Sequence, residues 1–137
     1  MPTPLDDIMD TFASVDQDTR LELLLDYAQR LPALPKHLQT QRDMGMNKVE
    51  ECQTPVFLWI EHEGEKVRIF ADVAEEAPTI RGLISIMVHG LDGATPEEVQ
   101  ALPGDLLAKL GLSGVIRMNR AVGLAAMIAR IRKGEAK

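Results

Sequence analysis

The feature that most constrains the fold is a change in hydrophobic periodicity near the middle of the chain. A β-branched and aromatic run at 56–60 is followed, after the turn candidate Glu63-Gly64, by alternating apolar and charged residues at 66–69. This pattern predicts a β-hairpin with Gly64 at its tip. Because apolar residues recur at helical spacing on both sides, we expect an α+β fold in which a small antiparallel sheet packs against several helices.

Helices are predicted before the hairpin from the spacing of apolar residues. A short first helix begins after Thr3, and a second helix, capped by Asp16 or Asp18, ends before Pro32. Proline lacks the backbone donor that a continuing helix requires, so it marks the end of this second helix. The stretch from Pro32 to about Asn47 shows no periodicity and is predicted to be irregular.

Downstream of the hairpin, a strongly apolar helix is predicted to form the centre of the core. Its apolar positions are Ile80, Leu83, Ile84, Met87, Val88 and Leu91. The residues at 95–98 combine a capping threonine, a proline and two acids, which is typical of a helix start. Further helices are expected at 105–110 and at 118–133.

Length and charge limit the class of protein. A chain of 137 residues is expected to form one domain spanning 1–137. With 15 Lys+Arg against 21 Asp+Glu, the net charge is −6, which disfavours nucleic acid as a partner because phosphate binding requires a basic surface. The chain has no long apolar window and its N-terminal residues are acidic, so neither a membrane nor a secretory signal is expected. We therefore predict a cytoplasmic protein.

Motifs for nucleotide, metal and hydrolytic chemistry are missing from the sequence. The three histidines, His37, His62 and His89, are widely separated and show no metal-ligand spacing. There is no Walker loop, no dinucleotide-binding glycine motif and no G-x-S-x-G nucleophile motif. We therefore expect no cofactor and no metal.

Cys52 is the only cysteine, so it cannot form an intramolecular disulfide or a four-thiolate metal site. It is either a small buried hydrophobic residue or a reactive thiol. It stands at the end of the irregular stretch, directly before the predicted strand, and functional groups are often found on such loops. Gln53 and Thr54 add hydrogen-bonding groups beside the sulfur. On these residues alone, both interpretations stay open.

Four short motifs occur along the chain in the order and with the spacing of a known protein family. The most specific is Val49-x-x-Cys52-Gln53-Thr54-x-Val56-Phe57, which is similar to the family pattern V-x-G-C-Q-S-x-V-W. The others are Arg30-Leu31-Pro32-x-Leu34, Arg81-Gly82-Leu83-Ile84 and Asn119-Arg120-Ala121-Val122-Gly123-Leu124. In these motifs the chain resembles the SufE family, the sulfur acceptors for cysteine desulfurases in iron–sulfur cluster assembly, and the resemblance covers nearly the whole chain.

This resemblance implies a SufE/IscU-like fold and a role for Cys52. The thiol would take sulfane sulfur from the persulfide of a cysteine desulfurase, activate that enzyme and pass the sulfur to a cluster scaffold. It would rest in a small apolar cavity and swing out on docking. Arg120 is expected to support the thiolate or persulfide, and Gln53, Glu76 and Arg81 are expected to bind the partner. Thiolate attack on a sulfur–sulfur bond needs no metal or nucleotide in this chain.

The sequence departs from the family pattern around the cysteine. Glu51 stands where the family often has glycine, and Glu50 and Glu51 place negative charge beside the thiol. These charges are expected to raise the pKa of the thiol unless Arg120 or a partner base offsets them. Phe57 replaces the usual tryptophan and keeps a large apolar ring, whereas Val122 replaces a glutamine that is common in the last helix of the family.

Simpler roles are available for the charged candidates. Arg120 is also consistent with a solvated arginine near a helix start, and Glu76 with an acid that favours the N-terminus of the core helix. The basic residues near the C-terminus fit the dipole of the last helix: Arg130, Arg132, Lys133 and Lys137.

Two functional alternatives to a sulfur carrier for cluster assembly follow from the same residues. One is a non-catalytic adaptor or regulator of a desulfurase, in which Cys52 is incidental. The other is a relay that delivers sulfur to another sulfurated product. A cluster scaffold is disfavoured because it needs about three ligating side chains close together.

Overall fold

Helices and strands follow one another in the order αααββαααα. The computed structural model describes residues 3–52, 54–116 and 118–134, except for the side chains of residues 118–120. The elements are α1 (Pro4–Ala13), α2 (Gln17–Gln29), α3 (Lys36–Asp43), β1 (Val56–Glu63), β2 (Lys66–Val73), α4 (Pro78–Gly90), α5 (Pro96–Gln100), α6 (Leu106–Lys109) and α7 (Met118–Lys133). The α+β fold predicted from the sequence is therefore confirmed.

The hairpin forms as predicted. β1 and β2 pair antiparallel from Val56 opposite Val73 to Glu63 opposite Lys66. Gly64 occupies the tip with a φ of 62°, a left-handed conformation that glycine adopts without steric cost. Alternate residues of β2 from Val67 to Val73 are buried against the main core, as expected for a strand with one face on the core.

The stretch from Pro32 to Asn47 is not irregular, because it contains α3. Leu38 of this helix is buried and packs with Leu34 and Trp59 on the second face of the hairpin. The Trp59 indole N–H also donates a hydrogen bond to the Gln41 side-chain oxygen, at 2.9 Å. With Leu38 as its buried residue, α3 gives no apolar period in the sequence. Its place in the fold depends on Trp59, which lies far away in sequence.

The core helix α4 lies at the centre of the main hydrophobic cluster, as predicted. Ile80, Leu83 and Ile84 on this helix are almost completely buried. α2 approaches α4 so closely at Gly82 that a Cβ there would overlap the Leu24 carbonyl oxygen and lie 2.8 Å from Leu24 Cδ1. The missing side chain at Gly82 therefore sets the distance between the two helices.

The predicted helix starts are confirmed at α2 and α5. Asp16 caps α2 by accepting a hydrogen bond from the Thr19 backbone N–H, at 2.9 Å. Hydrogen bonds from Thr19 lower the pKa of Asp16 below its ordinary value. At α5, Thr95 and Glu98 each accept a hydrogen bond from the other's backbone N–H, which is a capping box.

Candidate functional site

The loop that carries Cys52 connects α3 to β1 and is anchored on both sides of the cysteine. Val49 is fully buried, and its N–H donates a hydrogen bond to the Val56 carbonyl at 2.8 Å. Lys48 forms an antiparallel bridge with Phe57. The chain between these contacts therefore turns back on itself next to the first residue of β1, and Cys52 lies in this turn.

The Cys52 side chain is half-buried and packs against the main core. Its backbone N–H donates a hydrogen bond to the Val49 carbonyl at 3.2 Å. The side chain rests on α7 at Gly123, where a Cβ would overlap the sulfur and lie 3.1 Å from Cys52 Cα and 3.3 Å from Cys52 Cβ. Gly123 thus provides the space in which the sulfur lies, and any larger residue would displace it.

Glu51, the residue before the cysteine, binds the same helix. Its carboxylate oxygen Oε1 lies 2.9 Å from the Arg130 guanidinium nitrogen Nη2. The Arg130 side chain is only 20% exposed, whereas that of Glu51 is 43% exposed. A cation therefore offsets the charge of Glu51 within the folded chain. The sequence alone suggests Arg120 or a partner base for this task and assigns Arg130 to the helix dipole.

Arg81 lies at the base of the hairpin, at the end where the cysteine loop enters β1. Its guanidinium donates hydrogen bonds to the Ala28 carbonyl at 2.8 Å and to the Val73 carbonyl at 2.6 Å. Val73 is paired with Val56, so Arg81 joins the end of α2 to the strand beside the loop. This shows a structural role for Arg81, and its predicted contact with a partner stays a prediction.

The other predicted site residues are placed less completely. Glu76 is exposed in the short connection between β2 and α4, where the Ala74 N–H donates a hydrogen bond to the Pro55 carbonyl, at 3.3 Å. It therefore lies near the end of the cysteine loop. Gln53 lies outside the described residues. Arg120 belongs to the first turn of α7, but its side chain is outside the described part of the chain.

Within the residues that the structure describes, no three His, Cys, Asp or Glu side chains are grouped so that they could hold a metal ion. The same residues contain no helix that is long and apolar enough to cross a membrane. The structure places the Glu51 carboxylate against the Arg130 guanidinium and the thiol of the next residue, Cys52, against Gly123 of the same helix. Of these, the thiol is the nucleophile.

Arg130 is the site residue that sequence reasoning missed. It is separated from Glu51 by 79 positions, and nothing in the local sequence relates the two. The available signal was a pair of opposite charges, which becomes informative only when α7 is known to pack against the cysteine loop.

These features define a small α+β domain that holds one loop thiol against a glycine of its last helix. A family model described as "SufE: Fe-S metabolism associated domain" matches residues 6–135. The chain is 40% identical over 134 residues to a SufE-like protein of Mycobacterium tuberculosis, covering 97% of this chain and 92% of that protein. It is 30% identical over 123 residues to the sulfur acceptor protein CsdE of Escherichia coli, covering 88% and 80% of the two chains.

A solved structure has the same fold. The solution structure of a hypothetical protein from Thermus thermophilus superimposes with a TM-score of 0.81 at 32% sequence identity, covering 98% of this chain and 95% of the other. The chain therefore belongs to the SufE family, and the resemblance seen in its motifs is confirmed.

Proposed function

We propose that this protein is a sulfur acceptor and activator of a cysteine desulfurase, with Cys52 as the residue that carries the sulfur. The single observation that carries this proposal is the placement of the only cysteine, half-buried in a loop against Gly123 of α7. Membership of the SufE family and similarity to the sulfur acceptor CsdE support the same role. The partner is then a desulfurase, and the site of action is the cytoplasm.

The transfer step needs only the thiol of this chain. The Cys52 thiolate attacks the outer sulfur of the persulfide on the desulfurase cysteine. A new sulfur–sulfur bond forms on Cys52, the bond in the donor persulfide breaks, and the donor cysteine leaves as a thiolate. Atoms and electrons balance without an external oxidant or reductant. This is carrier chemistry rather than that of a stand-alone enzyme.

Passage of the sulfur onward repeats this exchange with an iron–sulfur cluster scaffold as the acceptor. The half-buried position of Cys52 supports a carrier that shelters its sulfur between the two exchanges, because burial restricts the access of other thiols to the persulfide. The loop must then move away from α7 when a partner docks, and this movement involves only one short segment.

The docking surface is proposed to surround the loop. Glu76 and Arg81 lie at the end of the hairpin from which the loop emerges, which is consistent with partner binding. Gln53, next to the cysteine in sequence, is proposed to contact the partner as well. Arg120 is proposed to support the thiolate or the persulfide from the first turn of α7. The family model matches residues 6–135, which supports a single sulfur-acceptor domain over 1–137.

Replacing the nucleophile tests this proposal. Cys52→Ser keeps the size and polarity of the loop but loses the sulfur, so the variant should bind a cysteine desulfurase and fail to stimulate it. Stimulation depends on Cys52 because a docked thiol turns a slow bimolecular reduction into a positioned transfer. Desulfurase turnover with cysteine, measured with and without each protein, gives the readout. Full stimulation by Cys52→Ser would support the adaptor alternative instead.

A further inference from the structure

Two neighbouring residues of the cysteine loop are held by one face of α7. Cys52 rests on Gly123, and Glu51 binds Arg130. Gly123 and Arg130 are seven positions apart, which is close to two helical turns and places them on the same face. The contacts are thus parts of one surface.

The length of the arginine side chain explains how one helix reaches both residues. Along α7, Arg130 is about 10 Å from Gly123 by helical rise, whereas Glu51 and Cys52 are adjacent in the chain. Side chains on a helix lean toward its N-terminus, so the Arg130 guanidinium reaches back toward the position of Gly123. Most of the Arg130 side chain is covered by its surroundings, which fixes it in this direction.

We infer that Arg130 is a positioning residue for Cys52: through its ion pair with Glu51, it keeps the sulfur in place against Gly123. This inference rests on the proposed function of Cys52 as the sulfur carrier. A loop that must open cannot be held by buried backbone bonds alone, and a half-exposed ion pair is a weak and exchangeable contact. Pairs of this kind shift an equilibrium by about 1.4-fold to fivefold.

The direction in which two matched variants change the alkylation rate of Cys52 distinguishes positioning from a simple effect of charge. Glu51→Gln removes a negative charge near the thiol, and Arg130→Gln removes a positive charge. If the pair acts only through its field, the first raises the thiolate fraction and the second lowers it, so the alkylation rates move in opposite directions. If the pair holds the loop, both variants expose the sulfur and both rates rise.

We expect both variants to increase the rate of Cys52 alkylation by about 1.4-fold to fivefold at low salt. Iodoacetamide is the probe, because it is uncharged and local charges do not steer it. Raising the ionic strength to about 1 M should accelerate alkylation of the wild type part of the way toward the rate of the variants, since salt screens a partly exposed pair incompletely. Opposite changes in the two variants, or no change in either, would contradict the inference.

A control pair and a charge reversal complete the test. Glu63→Gln and Arg68→Gln break a surface ion pair of 3.5 Å at the other end of the hairpin, and they should leave the alkylation rate unchanged. Glu51→Arg combined with Arg130→Glu should return the rate toward that of the wild type. Failure of the reversed pair to slow alkylation below the two Gln variants would also overturn the positioning role.

The outcome is distinguishable from that of the proposed function. Alkylation reports the exposure of Cys52 without a desulfurase, so the positioning role can fail while Cys52 still accepts sulfur. Conversely, loss of desulfurase stimulation only in Cys52→Ser would support the carrier whatever the alkylation rates of the pair variants.

Discussion

Two regions of this molecule each combine a glycine and an arginine, but the two arginines make different kinds of contact. Where α2 meets α4, Gly82 allows the close approach and Arg81 ties the elements together. Where the cysteine loop meets α7, Gly123 allows the approach and Arg130 makes the tie. In each region a glycine sets the distance and a guanidinium supplies the polar contact.

The difference lies in what each arginine binds. Arg81 donates to backbone carbonyls of a helix and a strand, at Ala28 and Val73. These acceptors cannot move without disrupting the elements that contain them. Arg130 instead binds the carboxylate of Glu51, a half-exposed side chain on a loop. The first contact is therefore part of the core, whereas breaking the second would disrupt no backbone hydrogen bond of a helix or strand.

The largest effect on stability is expected for Gly82→Ala. The added methyl group would overlap the Leu24 carbonyl, and a buried backbone atom cannot turn away as a flexible side chain can. We expect a loss of about 1–3 kcal/mol of unfolding free energy or more, measured by urea denaturation. Gly114→Ala, whose Cβ would meet no atom within 4 Å, is the control and should change little. Equal stability of the two variants would show that the α2–α4 contact is not fixed.

A smaller loss is expected for Arg81→Met, which keeps the length of the side chain without its donors. The Ala28 and Val73 carbonyls would each lose a hydrogen bond, and because both bonds are only partly buried we expect a net cost of about 0.5–1.5 kcal/mol for each. Thermal and urea unfolding give the measurement. A stability equal to that of the wild type would mean that water replaces the guanidinium at no cost, and the contrast between the two arginines would disappear.

For Gly123→Ala we expect a smaller change in stability and a larger change in reactivity. The methyl group would overlap the Cys52 sulfur, which lies on a loop that can move out, whereas Gly82→Ala meets the backbone of a helix. Overpacking of about 1–3 kcal/mol then appears as a shift toward the exposed loop, so iodoacetamide should react at least about fivefold faster. Unfolding as severe as that of Gly82→Ala, with no gain in reactivity, would show that the loop is as fixed as α2.

The smallest effect concerns Asp16, which lies outside both regions and serves as a baseline. Hydrogen bonds from Thr19 lower its pKa from the ordinary value of 3.8, so its ionised form stabilises the fold at neutral pH. That contribution is present above pH 3.8 and is lost as the pH falls through the lower pKa of the folded state. The stability difference between the wild type and Asp16→Asn should therefore shrink on acidification. At any one pH, the two proteins should show the same rate of Cys52 alkylation. A difference that stays constant with pH would contradict the capping role.

Local signals were sufficient to predict much of the fold. The tip of the hairpin at Gly64 and the start of α5 at Thr95 follow from turn and capping chemistry within a few residues. The position of the core helix follows from its apolar spacing. α3 was missed because Leu38 is its buried residue, and a single apolar position has no period. Packing of Leu38 against Trp59 and Leu34 stabilises this helix in the folded chain.

The candidate site was predictable only in part. Cys52 could be selected as the candidate nucleophile because it is the only cysteine and lies in a family-like motif. The location of its sulfur against Gly123, however, depends on how α7 packs. The Glu51–Arg130 pair joins positions 79 residues apart, and no local pattern indicates such a contact. The roles predicted for Gln53, Glu76, Arg81 and Arg120 stay predictions.

The most direct test of the central claim is the intact mass of the protein after incubation with a cysteine desulfurase and cysteine. The account predicts a gain of one sulfur atom, about 32 Da, as a persulfide on Cys52. The added mass should be removed by dithiothreitol and should not appear on Cys52→Ser. An unchanged mass of the wild type while the desulfurase turns over, or the same gain on Cys52→Ser, would contradict a carrier role for Cys52.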